Sequence, residues 1–414
     1  MSVTQAVQKT ERAPGVFAVV RATPVSVRYL LGGVLVNQMG AFVQTFLVLY
    51  LTARGMTLGH AGLALTAYSA GAVLGTLVGG ELIHRVGARA TIVTAMASSA
   101  SVLALVPWLS RPSHFAYLLV AVTAAGLVTQ SYRPAAALML SELMPAEHRV
   151  MAFSMMRIAM NAGAAVSPLI AAGLILIDWN LLFWLDALTA LACAVVSYTL
   201  LPNLLSDRPP AAAAGDAEPA AHRRSVYAVL LRDTKYLLFL ASVLLGSLIY
   251  VQYTVALPLK ITADGGSAGM YSAVLTASSV ILILCELKIT SYVKRWQPHV
   301  AGGVGTALMA LGVTGYILEP AVLLILSTAV FVAGVMVSGP TMFAHPSTYP
   351  DPFKARYIAA HQATFGLGMA LGPTLGVLAW ATLGNTVWLL CGAVGAVAAL
   401  CAHLGMRDHL PSED

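Results

Sequence analysis

Charge is scarce in this sequence. Only 10% of its 414 residues are Asp, Glu, Lys or Arg, against roughly a quarter in an ordinary soluble domain. So little charge cannot solvate the surface of a chain this long, which excludes a large water-soluble globule. Cysteine is scarce as well. Cys193, Cys285, Cys391 and Cys401 all lie in apolar stretches without paired spacing, so they read as small packing residues rather than disulfides or metal ligands. The chain has no G-x-x-x-x-G-K-[ST] loop, no paired Cys/His spacing and no G-x-S-x-G nucleophile. ATP hydrolysis by this chain alone, a resident metal, a cofactor and enzyme activity are therefore not expected. The first 27 residues lack a separate apolar stretch ending in a cleavage site, so no removable signal peptide is expected.

Hydrophobic residues are abundant, at 58% of the chain. They are gathered into runs long enough to cross the hydrocarbon core, which takes roughly 20 residues per helix. Twelve spans are predicted, at approximately 28–51, 60–83, 90–109, 115–143, 150–177, 180–201, 235–259, 268–293, 299–318, 320–345, 355–383 and 386–406. Runs of this length favour helices over barrel strands, which alternate over about ten residues. The predicted fold class is an all-α membrane protein.

The net charge of +6 is a topology signal, not a nucleic-acid signal. With the N-terminus placed in the cytoplasm, inside segments hold 17 Lys and Arg and outside loops only Arg54, Arg111 and Lys260. That asymmetry matches the positive-inside rule. It predicts both termini cytoplasmic, in an inner membrane, with lipid as the surrounding partner and no nucleic acid.

The longest break in the apolar pattern, 202–234, is rich in Pro and Ala and bracketed by charge. It reads as a cytoplasmic linker. The predicted organisation is a 1–27 N-terminal segment, a 28–201 six-helix bundle, the linker, a 235–406 six-helix bundle and a 407–414 tail. A shift of 205 residues supports the division: it lays 145–173 over 350–378, matching Pro145 with Pro350, Gly163 with Gly368 and Pro168 with Pro373. The same shift places Glu81 on Glu286 and Arg89 on Lys294. Parallel six-helix repeats about an axis normal to the membrane are one way transporters are built.

With these features the chain resembles the major facilitator superfamily over essentially its whole length. GGELIHRVGAR (79–89) is similar to the family's G-x-L-a-D-r-x-G-r-r loop, with His84 where the acid usually stands. The resemblance assigns Gly80, Glu81, His84, Arg85, Gly87 and Arg89 to a cytoplasmic gate. His84 cannot reproduce a carboxylate's pairing with basic groups, and Glu81, one turn earlier, can substitute. NAGAAVSPLIAAG (161–173) resembles the fifth-helix motif of the proton-coupled antiporter branch. Gly163, Ser167 and Pro168, repeated as Gly368, Gly372 and Pro373, are then packing positions that let helices approach closely. Generic close packing is the bland alternative, and both readings can hold together.

Polar groups within the spans supply the candidate site, because charges at this depth face a cavity or a partner. Arg157 and Asn161 share a face, and Asn161 sits about 16 Å into its helix at 1.5 Å per residue. Gln130 and Arg133 share a face of the fourth span. Asn37, Gln38 and Gln44 on the first span complete the N-terminal set; Gln252, Tyr253, Met336, Gln362 and Phe365 are the C-terminal set. Hydrogen bonding of the two arginines to carbonyls, in packing or gate closure, is the competing assignment. The first span carries no acid, so a neutral, zwitterionic or anionic substrate fits better than a strongly cationic one. Glu286 is the proton-coupling candidate, with ion pairing to Lys288, Arg85 or Arg89 as its structural alternative. Glu142 reads as a solvated helix end. His345 and His361 read as packing residues or as pathway-facing ones.

The expected function is proton-coupled efflux of a small organic compound by a monomer. A proton-symport importer, a passive facilitator and a non-transporting receptor or scaffold remain alternatives.

Overall fold

In a computed structural model, residues 23–203, 230–266, 268–319 and 321–407 are described. Residues 204–229 of the proposed linker fall outside them, as do most of both terminal segments. Every regular element among the described residues is helical. The first membrane crossing, α1, is built in two pieces, α1a (Val25–Met39) and α1b (Val43–Ala53). The others in the first half are α2 (Leu58–Val86), α3 (Ala88–Leu109), α4 (Phe115–Leu143), α5 (Arg149–Ile175) and α6 (Leu181–Leu200). The second half comprises α7 (Thr234–Ala263), α8 (Ala268–Val293), α9 (Pro298–Gly315), α10 (Ala321–Ala344), α11 (Asp351–Leu383) and α12 (Val387–Gly405).

Local chemistry sets the helix ends. The Thr57 hydroxyl accepts from His60 N–H at 3.2 Å and opens α2, and the Asp233 carboxylate accepts from Tyr236 N–H at 2.9 Å and opens α7. Both occupy orphan donors of a first helical turn. Gly87, at φ +85°, makes the abrupt turn between α2 and α3, a backbone conformation that disfavours a side chain. The first span departs from its expected continuous form: the helix stops at Met39 and restarts at Val43. Asp186 of α6, only 5% exposed, faces the backbone N–H groups of Phe42 and Val43 at the restart. Gly40 packs so tightly on α6 that a Cβ there would lie 2.1 Å from Thr189 Oγ1. A backbone break at membrane depth is tolerated only where protein covers its free polar groups, and α6 does so.

Buried apolar side chains form one core drawn mainly from 27–201 and a second from 249–391. Each helix end leads to the opposite face of the bundle, so α1 begins and α12 ends on what is called here the terminal face. Small residues let backbones meet inside each half. On α2, a Cβ on Gly71, Gly75 or Gly79 would lie 2.1, 2.0 or 2.1 Å from carbonyl oxygens of α4. The fifth-helix motif does the same toward α1, where a Cβ on Gly163 would meet Gln38 Cβ at 2.7 Å. Its repeat turns toward α7: Gly368 lies against Ser247 and Gly372 against Val251. These motifs therefore pack helices within each half. Ser167 is buried, whereas Pro168 is exposed.

Candidate functional site

Between the two halves lies a cavity of about 320 Å³. It is lined from α1, α2, α4 and α5 on one side and from α7, α9, α10 and α11 on the other. Of the expected pathway residues, Gln38, Gln130, Arg133, Arg157, Asn161, Gln362 and Phe365 line it. Four others do not. Asn37 is buried toward α4, its amide donating to the Tyr132 hydroxyl at 3.5 Å. Gln252 donates to the carbonyls of Leu248 and Gly372, at 2.9 and 3.0 Å, and so ties α7 to α11. Tyr253 stacks on Phe331 at 5.1 Å, and Met336 belongs to the second apolar core. The period of a helix shows that residues share a face; it does not show which neighbour that face meets. The side chain of Gln44 lies outside the described set.

Other lining residues were not anticipated. Tyr68, Ser69, Ala72, Val73 and Thr76 of α2 face the cavity, as do Ser242 and Tyr250 of α7 and Ser338 and Phe343 of α10. The α2 set repeats at three- and four-residue intervals, a stripe that hydroxyls in a lipid-grade helix could have revealed. His361 lines the cavity too and stacks on Phe239, with ring centroids 5.6 Å apart; it is a packing and a pathway-facing residue at once.

Side-chain hydrogen bonds join the halves toward the terminal face. Arg157 Nε donates to Glu286 Oε1 at 2.7 Å. The Thr290 hydroxyl donates to Ser154 Oγ at 3.1 Å, Lys354 Nζ to Glu142 Oε1 at 2.6 Å, and Arg356 Nη2 to Glu81 Oε2 at 3.3 Å. Three of these are ion pairs, and each joins the first half to the second. Glu286 thus pairs with an arginine of the other half, not with Lys288, Arg85 or Arg89. Its side chain is fully buried, and its second oxygen, Oε2, has no hydrogen-bond partner. Glu142 is the exposed end of α4 that was expected, with its side chain 35% accessible, and it is also half of a bridge. Asn161 donates to the Arg157 carbonyl at 2.8 Å, a bond within its own helix.

The gate residues divide. A Cβ on Gly80 would stand 2.3 Å from Ala359 Cβ, so its absence lets α2 and α11 touch. Glu81 also pairs with Arg85, at 3.5 Å. Gly87 forms the turn, and His84 is exposed. Arg89 does not join them: it hydrogen-bonds the Tyr198 carbonyl of α6 and lies over the Tyr198 ring, 5.3 Å from its centroid.

Arg157 is held by more than charge. Its guanidinium sits 5.7 Å from the Phe343 ring centroid, and a Cβ on Gly339 would lie 2.5 Å from its Cζ. Glycine there leaves the room that the arginine fills.

Two helical bundles enclosing a central cavity, with charged groups bridging them at one face, define a polytopic membrane protein of the transporter class. The family model of the Major Facilitator Superfamily matches residues 30–352, and the chain belongs to that superfamily. A Na(+), Li(+), K(+)/H(+) antiporter of Planococcus maritimus is 23% identical over 389 residues, covering 87% of this chain and 91% of that protein. The uncharacterized MFS-type transporter YttB of Bacillus subtilis is 24% identical over 276 residues, 66% of each chain. Among solved structures, the E. coli fucose:proton symporter superposes with a TM-score of 0.72 at 16% identity, over 93% of this chain and 99% of that one. The proton:xylose symporter XylE gives 0.70 at 18% identity, over 92% and 95%. At these identities the structural likeness establishes the fold.

Proposed function

We propose that this chain is a secondary active transporter that exports a small organic compound in exchange for protons, by alternating access of the cavity to the two faces. The observation that carries the reading is the cavity sealed toward the terminal face by ion pairs between the halves. Such bonds must break for the halves to rock, and a charge-neutralising event can break them. Glu286 is the assigned proton site. Charged, it holds Arg157 and keeps the terminal face shut; protonated, it gives up the ionic part of that bond and the face can open. Proton entry then drives one stroke and substrate the return, which is antiport.

The positive-inside pattern supports a cytoplasmic terminal face in an inner membrane, and on that reading the conformation described is the outward-facing one. The fifth-helix motif and the antiporter relative support export. The test is flux of compounds that stabilise the purified protein, measured in proteoliposomes with and without an imposed pH gradient. Accumulation against the substrate gradient, with protons moving the opposite way, is expected. Co-directional movement would make the protein a symporter, downhill flux unaffected by pH a facilitator, and no flux a receptor or scaffold.

A further inference from the structure

The two arginines in the cavity are not equivalent. Arg157 has its counter-ion in Glu286, and the pair carries no net charge. Arg133 has no carboxylate partner among the described residues, and its Nε is buried without any hydrogen bond. The nearby acid on the same side, Asp186, is turned toward the backbone N–H groups of Phe42 and Val43. Polar neighbours of Arg133 are instead the hydroxyls of Tyr68 and Tyr132. No Asp or Glu lines the cavity among the described residues. The cavity therefore carries a fixed, uncompensated positive charge at membrane depth, where an unpaired guanidinium is costly. Opposite it lie Phe343, Phe365, Met309, Met342 and Met369, a wall suited to an apolar body.

From this we infer that the substrate is a small organic anion, with its carboxylate or comparable acidic group on Arg133 and an aromatic or aliphatic body against the Phe and Met wall of α9, α10 and α11. The inference rests on the transporter reading above and deepens it. A guanidinium offers paired donors whose geometry matches a carboxylate, so the ligand supplies the counter-charge that the protein omits. A cation entering the same space meets repulsion with no acid to offset it. A neutral amide of the same shape fills the volume but leaves the charge unmatched.

The test uses matched probes on the full chain in lipid nanodiscs: benzoate, 1-naphthoate and indole-3-acetate, each against its carboxamide and its ammonium analogue. At least one carboxylate is expected to bind ten or more times tighter than its own carboxamide, with the ammonium compounds weaker still. Arg133→Gln is expected to abolish that preference and Arg133→Lys to retain part of it; two variants guard against a folding defect in either. Equal or tighter binding of the amides or ammonium compounds overturns the inference, as does failure of every carboxylate to bind or a preference that survives Arg133→Gln. Flux in proteoliposomes separates the two claims. Carboxylate binding without flux sinks the transporter reading alone, whereas flux of amide or ammonium compounds instead sinks the anion assignment alone.

Discussion

Arg157 and Glu286 sit 129 positions apart in the chain and 2.7 Å apart in space, joined across the boundary between the two halves. The glutamate is fully buried and the arginine nearly so, at 13% exposure. Removing one partner of a buried pair typically costs about 3–5 kcal/mol, because the other charge is stranded. Under the alternating access proposed above, that cost falls on the state in which the terminal face is closed. The bond thus acts on the balance between states more than on folding.

Glu286→Gln should therefore uncouple the transporter. The amide keeps a hydrogen-bonding group beside Arg157 but cannot ionise. In proteoliposomes, accumulation driven by a pH gradient should fall more than tenfold, while substrate exchange at equal pH persists. Loss of both activities in a folded protein would mean that Glu286 holds structure rather than a proton. Full pH-driven accumulation would remove it from coupling altogether.

The pair of Glu81 and Arg356 tests the outer part of the seal. Glu81 is 26% exposed and shared with Arg85, so its bond to Arg356 contributes no more than about 1 kcal/mol. Reversing either charge alone, as Glu81→Arg or Arg356→Glu, should open the terminal face; the double reversal should close it again. The readout is thiol labelling of Ser154→Cys, a position wholly buried at the seam, in a background without native cysteines. Labelling that rises in each single variant and falls back in the double variant is expected. Additive effects would show that the two residues do not act on one another.

Much of this architecture was legible before any coordinates. Apolar runs gave the crossings because length and hydropathy are one-dimensional properties, and the 205-residue repeat gave the two halves. Gln130 with Arg133, and Arg157 with Asn161, were legible for the same reason: each pair shares the face of one helix. Relationships between helices were not legible. Nothing local distinguishes Gln252, which ties α7 to α11, from Gln362, which lines the cavity. The bond of Glu286 to Arg157 depends on how two halves dock. The break in α1 was hidden too, since Gly40 and Ala41 sit inside a run, 28–51, that reads as one continuous crossing, and the group that faces it lies on α6.

Packing of α2 on α4 yields a sharper contrast between two glycines of one helix. A Cβ at Gly75 would stand 2.0 Å from the Leu127 carbonyl oxygen, a backbone atom that cannot rotate away, whereas one at Gly62 would meet nothing within 4 Å. Gly75→Ala should lower stability by about 1–3 kcal/mol, the usual range for overpacking. Gly62→Ala should be neutral or gain up to about 1 kcal/mol from better helix propensity. Thermal melts in detergent will rank the two variants, and equal melting temperatures would contradict the close approach.

Asp186 provides the last test, because its carboxylate faces the N–H groups at the start of α1b, at Phe42 and Val43, of which Phe42 also donates to the Gly40 carbonyl at 2.8 Å. Those donors lie at membrane depth, where water cannot replace a lost acceptor. Asp186→Ala should leave the Val43 N–H unsatisfied at about 1–3 kcal/mol, seen as a lower melting temperature and faster amide hydrogen exchange at residues 43–46. Asp186→Asn retains a carbonyl acceptor and should lose much less. If the break in α1 were held by the packing of Gly40 on Thr189 alone, both variants would melt with the parent, and exchange at 43–46 would not change. An intermediate melting point for Asn with Ala well below it is the pattern that assigns the restart of α1b to a side chain on α6.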